Sequence, residues 1–318
     1  MANRHSFAEA VSQKVSISEQ TVQISCDGCG SVVVFQPPEV AGTCPFCGGA
    51  IVAEPKAADP LIAPDGVLPV KVTKNTARTE VARWLATRWF APNALKRIAQ
   101  PEGISGVYLP FWSYASDTTT QYVGQRGDHY FETEVYTETD SNGNTVQQSR
   151  GVQRTRWSGA SGEVSRSFSD LLIAATRAVN QRRLAALEPW NLQDTLPYEP
   201  AYLAGFKAQR YQIELADGFE KAKEVMEAEI RNAVRQDIGG DEQQIDSIQT
   251  QYAAVTFLHL LLPVWIGAYR FQSKVYQVLV NARTGEVQGE RPYSSVKIAL
   301  LSGTILLLAL MIWLLTHR

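Results

Sequence analysis

Cys26-Asp27-Gly28-Cys29-Gly30 and Cys44-Pro45-Phe46-Cys47-Gly48-Gly49, with fourteen residues between Cys29 and Cys44, contain all four cysteines of the 318-residue chain. Two thiolates separated by two residues reach one metal ion from a tight turn, and a second such turn completes a tetrahedral set of four sulfurs. The spacing lies one residue below the usual range of the ribbon pattern. Glycine after the second cysteine of each pair, Gly30 and Gly48, permits the positive φ that aims backbone amides at the sulfurs. Between the pairs lies Ser31-Val32-Val33-Val34-Phe35, and beyond them Ala50-Ile51-Val52, both strand-like, with Pro37-Pro38 in the connection. The pattern predicts a zinc ribbon with one structural Zn2+ on Cys26, Cys29, Cys44 and Cys47. So small an apolar content predicts that the metal supplies most of the ribbon's folding energy. A disulfide framework would need cysteines elsewhere. A thioredoxin-type site would need a single CxxC in a βαβ setting.

The rest of the composition describes a folded chain with room for two or three small domains, at 45% apolar and 19% charged residues. A net charge of −2 carries no whole-chain signature of nucleic-acid binding. From Ser16 to Lys56 the acids Glu19, Asp27, Glu39 and Glu54 face Lys56 alone. A ribbon that grips phosphates should be basic, so nucleic acid is not the expected partner. Met1 to Lys14 has no apolar core, which predicts a flexible lead-in over 1–16 and no signal peptide.

At the other end, Ile298 to Leu315 runs eighteen residues without a charge, between Lys297 and the terminal His317-Arg318. That length predicts a transmembrane helix over 296–315, with Trp313 near the far interface. Uniform apolarity, without a polar stripe, argues against a buried amphipathic helix. The expected arrangement is a single-pass tail anchor contacting membrane lipid, with the N-terminal body in a reducing cytoplasm that keeps the thiols free for zinc.

Between the ribbon (17–56) and the anchor the pattern predicts two α+β units, 57–187 and 188–292. The first has a short strand over Val67–Val72 and a helix over Thr76–Phe90, with Val81, Trp84, Leu85 and Trp89 on one face. Lys71, Lys74, Arg78, Arg83, Arg88, Lys96 and Arg97, against Glu80, make this the most basic region. Such a run is either a solvated face or a contact for anionic lipid or an acidic partner. Strands over Gly106–Tyr114 and Gln121–Gly124 follow, then a long polar hairpin over His129–Trp157 turning at 140–144. A helix over Phe168–Val179, capped by Ser167 or Ser169, closes the unit. The second unit has an irregular Glu188–Pro200, a strand-like Tyr202–Leu215 and a helix over Asp217–Val234. Two buried strands are expected over Ala253–Tyr269, interrupted by Pro263, then a strand over Val275–Val280. Tyr108-Leu109-Pro110-Phe111-Trp112 and Leu261-Leu262-Pro263-Val264-Trp265 form a weak internal repeat.

No phosphate loop, GxSxG elbow or HExxH motif occurs. His5 and His317 are near the termini, His259 reads as a core histidine, and His129 has no evident partner in sequence. No catalytic residue is assigned.

The motifs at Cys26–Gly30, Cys44–Gly49, Gly106–Trp112, Leu261–Trp265 and Tyr276–Pro292, before a C-terminal span, resemble a bacterial family of zinc-ribbon membrane proteins. The family is often labelled after TFIIB-type ribbons or the primosomal helicase. The resemblance implies Cys26, Cys29, Cys44 and Cys47 as ligands, and association with SPFH-type (stomatin- or flotillin-like) membrane scaffolds and envelope-stress systems. It carries over no catalytic residues. The expected function is a tail-anchored adaptor binding a protein partner at the membrane surface. The alternatives are a membrane-tethered nucleic-acid binder and a hydrolase whose site assembles only in space.

Overall fold

A computed structural model of the protein describes residues 4–12, 22–26, 28–35, 41–47, 49–52, 62–92, 103–139, 145–272 and 274–316. In chain order the strands are β1 (His5–Ser6), β2 (Val22–Ser25), β3 (Val32–Phe35), β4 (Ala41–Thr43), β5 (Ala50–Val52), β6 (Gly66–Val67), β7 (Ser105–Thr139), β8 (Thr145–Ala174), β9 (Leu196–Pro197), β10 (Lys207–Gln209), β11 (Glu242–Phe271), β12 (Lys274–Asn281) and β13 (Val287–Gly289). The α-helices are α1 (Phe7–Ser12), α2 (Lys74–Ala86), α3 (Gln181–Ala185), α4 (Leu215–Ile238) and α5 (Ser295–Thr316). All strands but β4 and β5 join one sheet along the path β13-β12-β11-β7-β10-β3-β2, with β8 also on β7, β1 and β6 on β11, and β9 on β6.

The sheet is built on β7 and β11, which pair antiparallel from Ser105↔Ile266 to Gly127↔Glu242. Over Gly106–Tyr114 successive residues are buried on both faces, which is why this run reads as continuously apolar. Further on, Ser116, Thr118, Thr120, Tyr122 and Gly124 are buried, while Asp117, Gln121 and Val123 are exposed. That period of two marks a sheet covered on one side only. The cover is α4, whose Phe219, Ala222, Met226, Ile230 and Val234 pack on Trp112, Tyr114 and Tyr122. Gly218 permits the close approach, because a Cβ there would lie 2.5 Å from the Tyr114 hydroxyl. Two bulges, between Tyr114 and Ser116 against β8 and between Ala253 and Thr256 in β11, fall at one level of the sheet. They mark the level at which the sheet passes from a part covered on both faces to a part covered on one.

The internal repeat is structural, but it does not build two separate units. Leu109 pairs with Leu262, so the two LP motifs lie antiparallel about that pair. Trp112 Nε1 donates to Ile213 O at 2.9 Å, just before α4, and Trp265 Nε1 donates to Val72 O at 2.7 Å, just before α2. Ala175 N donates to Pro110 O and Ala282 N to Pro263 O, at 2.9 and 3.1 Å. Ala175 O then accepts from Gln212 N and Ile213 N, as Ala282 O accepts from Lys71 N and Val72 N. Each repeat's tryptophan therefore holds the helix of the other repeat. α2 packs its Ala77, Val81 and Leu85 on Trp265, Tyr269, Val278 and Val280 of the second half. The halves exchange helices and share one sheet, so neither has a core of its own.

Several local expectations are corrected by long-range pairing. Phe168–Ala174 is strand, not helix: Phe168, Leu171 and Ile173 pair with Ser116, Tyr114 and Trp112 and sit under α4. Ala253–Tyr269 lies within one uninterrupted strand, in which Pro263 contributes its carbonyl to Ala282 N. The strand expected over Val67–Val72 is limited to Gly66–Val67, and that over Tyr202–Leu215 to Lys207–Gln209. α2 starts at its Thr73 cap, whose hydroxyl accepts from Thr76 N, and ends at Ala86, so Trp89 leaves its face and is 72% exposed. The turn expected at 140–144 lies outside the described residues.

Equivalent roles predict equivalent costs. Trp112→Phe and Trp265→Phe each leave a buried carbonyl without its donor, so each should destabilise the protein by ~1–3 kcal/mol in chemical denaturation of detergent-solubilised protein. A loss confined to one of them would contradict the two-fold arrangement.

Candidate metal centre

Cys26 follows β2, Cys29 precedes β3, Cys44 follows β4 and Cys47 precedes β5, so each cysteine pair turns between two strands. The turns are locked by their own backbone: Gly30 N donates to Cys26 O at 2.7 Å, Cys26 N to Ser31 O at 2.9 Å and Cys44 N to Gly49 O at 2.7 Å. Gly30 has φ +70°, as the glycine pattern requires, and Gly48 lies outside the described residues.

The four sulfurs lie within 4.8 Å of one another. Cys26 Sγ and Cys47 Sγ are 3.6 Å apart, and Cys29 Sγ and Cys44 Sγ 3.7 Å. Metal–sulfur bonds of ~2.3 Å in a tetrahedron place sulfurs ~3.8 Å apart, so the residues present fit one ion held by four thiolates. Four protein ligands leave no open position for a substrate.

The centre is anchored to the body. Cys26, Cys44 and Phe46 are buried in one cluster with Leu109, Phe111, Trp190 and Leu262. β3 pairs with β10 of the main sheet, and Gln277 Nε2 donates to Phe46 O at 3.2 Å. Sheet pairing and apolar burial therefore contribute to holding the ribbon, beyond the metal that its small size pointed to. Burial pushes the Cys44 and Cys47 thiols up from their ordinary value. At Cys29 burial also acts upward, but hydrogen bonds with Ser31, Cys47 and Cys44 outweigh it and the thiol is lowered.

Part of the expected basic patch is engaged within the fold. Lys71 pairs with Asp194 at 2.9 Å, Arg83 pairs with Glu80, and Arg88 lies over the Trp84 ring at 4.9 Å. Lys74 and Arg78 are exposed, and Lys96 and Arg97 lie outside the described residues.

Three of the described histidines acquire partners that sequence order conceals, His5 through Nε2 with Asp65 Oδ1 at 2.6 Å. His129 bonds through Nε2 to Glu242 Oε1 at 2.7 Å and through Nδ1 to Gln153 at 2.6 Å, and its backbone N donates to Asp241. These groups meet because β11 starts beside Gly127. His259 is a core histidine with Nδ1 against Ile62 O at 2.9 Å, while its Nε2 is buried without a partner among the described residues. Burial pulls its pKa down from the ordinary histidine value.

α5, 22 residues from Ser295 to Thr316 with no part of its apolar stretch buried, is long and apolar enough to cross a membrane.

Thiolates are the ligands, so loading the centre displaces protons and acid expels the metal. Zn2+ titrated into chelator-treated full-length protein at neutral pH should bind at one equivalent with proton release, since burial holds Cys44 and Cys47 protonated in the metal-free site. Stoichiometric metal retained by the Cys26→Ser, Cys44→Ser double variant would place the site elsewhere.

No protein-family model matches the chain, and no solved structure matches it. The chain is 24% identical over 240 residues to uncharacterized protein YdjG of Bacillus subtilis (strain 168), covering 75% of this chain and 66% of the relative. The chain thus spans just under two thirds of that relative's length.

Proposed function

We propose that the protein is a tail-anchored adaptor that binds a protein partner at the membrane surface. α5 lies in the membrane and the body faces the cytoplasm, whose reducing conditions keep the four thiols available. The ion is zinc, the usual occupant of a closed tetrahedral all-thiolate structural site. Its role is to hold the ribbon against the sheet.

The observation that carries this reading is the hairpin arm. Beyond Gly127 and Glu242, where β11 begins, β7 and β8 continue alone, from Asp128↔Arg156 to Thr139↔Thr145. Twelve residues per strand at ~3.3 Å each reach about 40 Å from the body. One face carries Arg150 on Glu134, Arg154 on Glu132 and Arg156 over Tyr130. The other carries Phe131 and Val135, 75% and 58% exposed. Among the described residues β8 pairs only with β7, so its outer edge presents unpaired backbone groups. β8 contains neither lysine nor proline, the residues that commonly blunt such edges. Two exposed apolar side chains beside a free edge suit the addition of a partner's strand. Of the arm's arginines, Arg150 and Arg154 are matched by carboxylates and Arg156 lies over an aromatic ring, which favours a protein partner over nucleic acid. The family resemblance supplies the candidate, an SPFH-type scaffold in an envelope-stress assembly.

The test is cross-linking in intact cells, detergent solubilisation, purification and mass spectrometry. The wild type should yield one predominant membrane-scaffold partner. Phe131→Lys with Val135→Lys should lower its recovery about tenfold, the effect of ~1.4 kcal/mol, with membrane location and metal content unchanged. Undiminished recovery would remove the arm from the interface. Nucleic acid without a protein partner would favour the tethered binder.

A further inference from the structure

The head of α5 is fastened to the turn that follows α2. Lys297 Nζ donates to Trp89 O and Ala91 O, both at 2.9 Å, and Ser294 N donates to Phe90 O at 2.8 Å. Ala91 is fully buried in the cluster under α2. On the segment leading into α5, the backbone carbonyl of Glu290 accepts from the Tyr269 hydroxyl at 2.6 Å. The start of the apolar helix and the end of α2 therefore form one corner joined to the sheet.

That corner exposes two aromatic side chains, Trp89 at 72% and Tyr293 at 61%. Beside them are three cations: Arg88, Arg291, which lies over the Tyr293 ring at 5.4 Å, and Lys297. The Nε atoms of Arg88 and Arg291 are buried without a hydrogen-bond partner among the described residues. Across 84–92 and 288–297 the single carboxylate is Glu290, which is engaged by Arg183 at 2.6 Å. Indole and phenol rings favour the headgroup level of a bilayer, and basic side chains at that level attract anionic lipid. Here both kinds of group ring the point from which the span departs.

We propose that this corner, Arg88, Trp89, Arg291 and Tyr293, held together by Lys297, is a docking surface for the phosphate headgroups of anionic lipids in the leaflet that α5 enters. It sets the body upright on the membrane, so that the span is a fixed stalk rather than a free tether. The proposal rests on the reading of α5 as a membrane span. It also separates the basic region into parts, since Lys71 and Arg83 are engaged by acids of the body.

The experiment uses the full chain with Trp89→p-benzoylphenylalanine, reconstituted in nanodiscs of phosphatidylcholine alone or with phosphatidylglycerol added. Irradiation should give lipid adducts, roughly fivefold more with phosphatidylglycerol. Arg88→Glu with Arg291→Glu should abolish the dependence on phosphatidylglycerol, and Arg88→Gln with Arg291→Gln should weaken it. Equal yields in the two lipids, or adducts to protein instead of lipid, would overturn the surface. The same probe at Trp313 reports on the span. Lipid adducts at Trp313 with none at Trp89 would overturn the surface alone, whereas none at Trp313 would overturn the membrane reading on which it rests.

Discussion

The antiparallel pairing of β7 with β11 about Leu109 and Leu262 is the constraint on which the rest of the molecule depends. Both leucines are fully buried, and the strands around them have covered faces on both sides. Proline sits next to each leucine, at Pro110 and Pro263, and cannot donate to a ladder, yet both carbonyls are used by the return segments at Ala175 and Ala282. Those return segments in turn receive the residues that lead into α4 and α2. Two tryptophans complete the exchange by binding the carbonyls of Ile213 and Val72. Loss of the central pairing would therefore release both helices at once.

The metal centre and the membrane-length helix are tied to the same framework. Gln277 on β12 donates through its side chain to Phe46 O in the second cysteine turn, and its own carbonyl accepts from Glu290 N in the segment leading to α5. One residue thus links the turn that completes the four-sulfur set to the lead-in of α5. In this arrangement a closed metal site acts as a fastening: it fixes short strands that have few apolar residues of their own against a sheet that has many. The hairpin arm is the opposite case. It leaves the covered part of the sheet, keeps side chains paired across its two strands, and among the described residues has no helix packed on it where it stands alone.

Cysteine spacing, apolar run length and helical periodicity are local signals, and they determined what they could reach. The four-thiol cluster, the C-terminal helix and the buried face of α4 were legible because each depends on residues close in sequence or on a single repeating period. The repeat of LP motifs was legible as a likeness, but its meaning was not. Which helix lies on which strand depends on contacts across more than a hundred residues, such as Trp112 with Ile213 and Trp265 with Val72. The run Phe168–Ala174 became strand for the same reason: its apolar residues satisfy a helical period locally, but β7 supplies a ladder and α4 a cover only in the folded chain. His129 gained Glu242 and Gln153, and the corner of Trp89 gained Lys297, by the same long-range pairing. The sequence by itself determined which groups can bind metal and which segment can enter lipid, because those are properties of side-chain chemistry and length. Only the tertiary structure decided which halves share a core, where the arm leaves it and what surrounds the head of α5, because backbone hydrogen bonds between distant strands carry no local mark.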